Sequence, residues 1–156
     1  METKFTVNGR AVSFDGDGAT PLLSVLRSEL GLSSAKYGCG TEKCGACMVL
    51  IDGEPAYSCT REVGTLAGRV VTTVEGLTNN GALHPLQQAF IDQQAGQCGY
   101  CLAGIVISAA ALLTKNPKPS RADIVAALDP HLCRCGVQNR IIRAVEQAGA
   151  KMAGGR

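Results

Sequence analysis

The chain has no tryptophan and no basic run, and its net charge is only +2. Nothing in that balance argues for a nucleic-acid partner or an anionic membrane. Charge of either sign is scarce: 18% of residues are charged, against roughly 25% in an average soluble domain. A chain short of charge can hide much of its surface against a partner, although glycine-rich loops lower the fraction too. Long apolar runs are missing as well. The longest, 102–113, is interrupted by Gly104 and Ser108 and is shorter than the ~18 residues of a membrane span. The first residues enter a strand pattern at once, with no basic n-region and no apolar h-region, so no secretory leader is expected. Aspartates and glutamates are scattered with no pair suited to acid/base work, and no glycine-rich nucleotide loop or internal repeat is visible.

Cysteine and glycine are abundant instead, with eight and 19 residues. Without a leader, eight cysteines point to metal ligation in a reducing compartment rather than to disulfides. A cytoplasmic location is expected, with carriage to the periplasm on a signal-bearing partner as the alternative. The chain is organised around Cys39-Gly-Thr-Glu-Lys-Cys44-Gly-Ala-Cys47, with Cys59 further on. This C-x4-C-x2-C…C spacing is that of a plant-type [2Fe–2S] ferredoxin loop. Two irons need four thiolates, and three of them come from one tightly wrapped loop. Gly38, Gly40 and Gly45 sit beside the ligands, where wrapping demands backbone conformations that glycine adopts cheaply.

Around this loop the pattern is mixed. Phe5 and Val7, then Val12 and Phe14, alternate about Asn8-Gly9, a type I′ hairpin signal. Thr20-Pro21 opens a helix striped by Leu22, Leu23, Val25, Leu26 and Leu30 and stopped at Gly31. A second hairpin turns at Asp52-Gly53 and delivers Cys59, and 70–74 closes a small mixed sheet. The expectation is α+β: an N-terminal β-grasp, ferredoxin-like domain over 1–77, a linker over 78–83, and an all-α four-helix bundle over 84–156. Helices are predicted after His84-Pro85, carrying Leu86, Ala89, Phe90 and Ile91, over 105–113, from Ser120 with Asp123 as a capping box, and through Ile141, Ile142, Val145 and Ala148.

The helical half carries Cys98-x2-Cys101 and Cys133-x-Cys135, each read as sitting where a helix begins, so that backbone N–H groups and the helix dipole favour thiolates. They suit a second cluster. Two readings compete: four buried free cysteines, or zinc on Cys44/Cys47 with Cys98/Cys101, which strands Cys39, Cys59, Cys133 and Cys135. A Rieske centre would need two histidines on one iron, and the chain has only His84 and His131. His84 reads as a helix-start residue and His131 as a surface group or a neighbour of the ligands. Lys36, Lys43 and Arg134 are candidate guides for an acidic redox partner, with plain solvation as the alternative.

A ferredoxin loop followed by Q-C-G-Y-C and C-R-C-G resembles the small iron–sulfur subunit of the molybdenum hydroxylases, the family of xanthine oxidase, aldehyde oxidoreductase and the CO, nicotinate and isoquinoline dehydrogenases. The likeness runs over nearly the whole chain. It implies that Cys39, Cys44, Cys47 and Cys59 hold one [2Fe–2S] cluster and that Cys98, Cys101, Cys133 and Cys135 hold another nearer molybdenum. Gln97 and Cys135 match the positions that contact the molybdopterin. The chain would not be catalytic alone. It would carry electrons from the molybdopterin site of a large partner subunit to an acceptor such as a flavin subunit or cytochrome c. An independent two-cluster carrier is the alternative. Departures from the usual pattern are Glu42, Ala103-Gly104, His131 and Val137-Gln138-Asn139; none removes a ligand.

Overall fold

The computed structural model describes residues 2–155. It is α+β. Strands β1 (Glu2–Val7) and β2 (Arg10–Asp15) form the first hairpin, β3 (Met48–Ile51) and β4 (Glu54–Tyr57) the second, and β5 (Val70–Thr72) lies between them. The strand order is β2-β1-β5-β3-β4, with β5 parallel to β1 and antiparallel to β3. This mixed sheet is consistent with the ferredoxin-like domain expected for the first half. Both hairpins turn where expected, at Asn8-Gly9 and Asp52-Gly53, and all four turn residues have positive φ, as a type I′ turn demands.

The first helix departs from a regular one. α1 (Leu22–Ser24) passes directly into a wider, π-type turn over Val25–Glu29. Its N-cap is Pro21 rather than Thr20, and no side chain caps it. The N-terminal amides are satisfied otherwise: Leu22 and Leu23 donate to the carbonyls of Arg61 and Ser58. The expected stripe is nonetheless buried at Leu22, Leu23, Val25 and Leu26, and Gly31 follows with positive φ. With Phe5, Val7, Val49, Val63 and Val71 these residues make the first core.

The second half contains α2 (Pro85–Asp92), α3 (Leu102–Lys115), α4 (Arg121–Leu128) and α5 (Gln138–Gly154). His84 caps α2 and Ser120 caps α4, each within a capping box. Leu86, Ile105, Ala109, Leu113, Ile124, Ile141 and Val145 meet in a second core. Ile91 departs from the expected apolar stripe of α2 and is exposed. Among the described residues, no helix is long and apolar enough to cross a membrane.

The apolar character of α3 all round its circumference has a physical cause: it packs against α2 and α4 on one side and against β3 and β4 on the other. A helix apolar on every face must be buried on every face. Met48 on β3 and Ile107 and Ala111 on α3 are buried yet belong to neither core; they lie on the two elements that meet. Lys115 closes the far end of this seam with an ion pair to Glu54 at 2.6 Å. The seam brings the two cysteine sets face to face.

Candidate metal centres

The first cysteine loop is tied down from several directions. Arg27 donates to the carbonyls of Ser33 and Ala35 at 2.9 and 2.8 Å. Glu75 accepts from the Ser34 amide at 3.0 Å and also from its hydroxyl. Burial raises the Glu75 carboxyl, but the bonds from Ser34 and Thr73 outweigh it and hold the group below its ordinary range. Lys36 spends its ammonium on the Ser33 and Ser34 carbonyls, so it clamps the loop rather than offering a free cation to a partner. Lys43 is exposed.

Within the loop the cysteines come in pairs. Cys39 lies beside Cys44, and its amide donates to the Cys44 sulfur at 3.4 Å. The amides of Thr41 and Lys43 donate to the Cys39 sulfur at 3.4 and 3.2 Å. These two backbone bonds pull the Cys39 thiol down to about 6. Cys47 lies beside Cys59, and burial pushes its thiol up to about 11. Fully buried Ser58 donates its hydroxyl to the Cys47 carbonyl at 2.6 Å, and so fixes the segment that carries Cys59. Glycine is needed at particular points. A Cβ on Gly38 would overlap the Cys44 sulfur, and Gly40 and Gly45 have positive φ. Glu42 also has positive φ, a costly state for a non-glycine residue; its carboxylate is held by the Thr60 hydroxyl.

The second set pairs likewise. Cys135 stands 3.4 Å from Cys98, sulfur to sulfur, and Cys101 lies beside Cys133. Burial pushes the Cys101 thiol up to about 12. Cys101 is itself the N-cap of α3, whereas Cys135 precedes the N-cap of α5, Val137. Only the Cys98-x2-Cys101 motif therefore reaches a helix start in the strict sense. Cys98 and Gln97 are exposed. Gln138 donates to the Cys133 carbonyl at 3.1 Å and braces the second turn.

Thiols in two close pairs fit the demand of a [2Fe–2S] cluster for two thiolates on each iron, and each set supplies two such pairs. The backbone N–H donors to sulfur described above belong to the first loop. Bound metal would deprotonate the buried thiols whatever their free acidity.

The two sets share a cleft of about 220 Å³ lined by Cys39, Cys44, Cys98, Cys101 and Cys133. One backbone bond crosses it: the Leu132 amide donates to the Cys44 carbonyl at 3.0 Å. The Tyr100 hydroxyl also donates to the Tyr37 carbonyl. His131 is wedged at the seam, with Nε2 2.7 Å from the Ser108 hydroxyl and Nδ1 against Gly45. Burial pushes its ring down to about 4, so it is neutral near pH 7. His84 is also pushed down by burial, and neither histidine stands in a cysteine set.

Sequence patterns singled out the cysteines and their glycines. They did not single out Arg27, Glu75, Ser108 or Tyr37, and Tyr100 entered only as part of the Q-C-G-Y-C motif. Of these, Ser108 left a trace, as a polar break in an apolar run.

Residues 5–69 match the family described as 2Fe-2S iron-sulfur cluster binding domain, and residues 73–146 match the [2Fe-2S] binding domain family. One of the nicotinate dehydrogenase subunits of Pseudomonas putida is 51% identical, over 91% of this chain and 90% of the relative. The chain belongs to the iron–sulfur small subunits of the molybdenum hydroxylases. The alpha subunit of isoquinoline 1-oxidoreductase from Brevundimonas diminuta is 48% identical, over 96% of this chain and 99% of that one. The solved aldehyde oxidoreductase of Desulfovibrio gigas superposes with a TM-score of 0.94 at 35% identity, over 100% of this chain but 18% of that one. A small subunit of this family binds two [2Fe–2S] clusters and transfers electrons within an oxidoreductase complex.

Proposed function

We propose that Cys39, Cys44, Cys47 and Cys59 hold the cluster remote from molybdenum, and that Cys98, Cys101, Cys133 and Cys135 hold the one nearer to it. When bound, each cluster supplies a one-electron relay. The protein's own part is to hold, shield and align these relays. The paired thiols and the backbone donors to the Cys39 sulfur carry out the holding. The Leu132–Cys44 bond aligns the two loops. Exposed Gln97 and the adjoining Cys98/Cys135 pair form the end offered to the molybdopterin of a large partner subunit, with Gln97 and Cys135 as the contacting groups. The matching of this chain to a fraction of a much longer aldehyde oxidoreductase supports a large partner. Electrons leave from the Cys39/Cys44 side to a flavin subunit or a cytochrome c.

Within the chain we read 1–77 as the β-grasp domain, 78–83 as the linker and 84–156 as a four-helix bundle. The single core shared by α2, α3, α4 and α5 supports the last of these. The partner's reaction is read as oxidation of an aldehyde or of an N-heterocyclic aromatic, and the names of the relatives at 51% and 48% identity favour the N-heterocycle. A cytoplasmic location is proposed, with carriage to the periplasm on a signal-bearing partner as the alternative.

The observation that carries this reading is the close pairing of the cysteines on either side of one seam, bridged by a backbone bond from Leu132 to Cys44. Co-expression of the tagged chain with its large subunit tests it. The complex should purify together, and an N-heterocyclic aromatic substrate should bleach the cluster absorbance anaerobically. A chain that purifies alone and is not bleached by that substrate would instead be an independent carrier.

A further inference from the structure

The amide of Leu132 is the only described backbone group of the second cysteine turn that bonds to the first loop, yet the Leu132 side chain cannot hold it there. That side chain is 65% exposed. The neighbouring side chain is the one that reaches across. The His131 ring occupies space left by two glycines: a Cβ on Gly45 would overlap its Nδ1 edge, and one on Gly104 would press on its Cε1. Gly104 in turn lies against the Gly45 carbonyl, so loop, ring and α3 interlock. The ring is also bonded. Nε2 is 2.7 Å from the Ser108 hydroxyl on α3, while Nδ1 is buried and has no partner of hydrogen-bonding geometry among the described residues. On the chain side, the His131 amide donates to the Leu128 carbonyl at 3.0 Å, which fixes the backbone just before Leu132.

We propose that His131 is a positioning residue for electron passage between the two cysteine sets. Pinned by Ser108 and seated on Gly45 and Gly104, it keeps the Leu132 amide on the Cys44 carbonyl, and thereby sets how strongly the two centres are coupled. Neither its proton nor a bond to metal is involved. The inference rests on the two-cluster reading above.

The test uses the cluster-loaded full chain with His131→Ala, His131→Asn and Ser108→Ala. Iron is counted on every sample. Magnetic splitting between the two reduced centres is read by EPR, and electron redistribution between them after a reducing flash is timed. In His131→Ala the splitting should weaken and redistribution should slow, by up to about a hundredfold if the two loops shift by about 1 Å, while each centre keeps its own signal. His131→Asn should recover most of the rate, because its amide again offers donor and acceptor groups to the Ser108 hydroxyl. Ser108→Ala, a change that α3 tolerates by helix propensity, should move the same way by less. Parental splitting and rate in His131→Ala, even with a lower melting temperature, would make the ring a space-filler and overturn the proposal. If His131→Ala loses iron, Ser108→Ala decides: a parental rate there overturns it equally. A parental chain that fails to hold two clusters is a separate result and removes the reading beneath it.

Discussion

At the scale of single residues, two glycines limit how closely the halves can approach. Gly104 leaves room for the Gly45 carbonyl, which an added Cβ would overlap. Overpacking at such a contact costs about 1–3 kcal/mol, because neither backbone can yield without moving what it carries. Gly104→Ala should therefore lower the thermal midpoint of the full chain by several degrees, and calorimetry checks it. Gly81 is a fair control, since nothing lies within 4 Å of a Cβ added there. Only its positive φ is then strained on substitution. The same residue scale explains an asymmetry between ligands. Cys39 faces backbone donors and is pulled down, whereas Cys47 and Cys101 are buried and are pushed up. Polar, donor-rich surroundings and dry ones lie within one loop.

At the scale of elements, local chemistry was legible and contact between halves was not. The two type I′ turns, the His84-Pro85 helix start and the Ser120/Asp123 capping box each occupy a few consecutive residues, and each formed where the sequence placed it. The cysteine spacings are equally local. What escaped depends on residues far apart in the chain: Gly45 with Gly104, His131 with Ser108, Tyr100 with Tyr37. No short-range pattern encodes such meetings. The wider turn at Val25–Glu29 escaped for a related reason. Its apolar spacing suits a regular helix equally well; the bond from the Leu30 amide to the Val25 carbonyl, five residues back, marks the wider turn.

The cap of α2 yields a pH prediction at this scale. His84 Nδ1 accepts the Leu86 amide at 3.1 Å, which requires a neutral ring, and burial holds its pKa below the ordinary value. The unfolded chain takes up a proton near pH 6.5, while the folded chain resists. Stability from this group is therefore complete above pH 6.5 and declines as the pH falls toward the folded value. His84→Asn keeps a good cap and removes the titration. Its melting temperature should fall less than the parent's between pH 7 and pH 5. Some slope should persist, because His131 is pushed down in the same direction. Equal slopes in the two proteins would mean that His84 is not held neutral by folding.

At the scale of the whole molecule, the α3 seam joins the sheet half to the helical half. Neither half alone explains a helix apolar on all sides; the sheet on one flank and the helices on the other do. That packing sets the thiols of one set across a shared cleft from those of the other, with Cys44 and Leu132 joined by backbone, and leaves Gln97 and Cys98 at the surface. Low charge is consistent with a chain that works inside an assembly. The most direct test is EPR of the anaerobically purified, dithionite-reduced full chain, with iron and acid-labile sulfide counted on the same sample. Two distinct S = 1/2 signals with about four irons per chain, from four cysteines per two-iron cluster, are the predicted result. One signal with about two irons, or zinc in place of iron, would contradict the assignment of a cluster to Cys98, Cys101, Cys133 and Cys135.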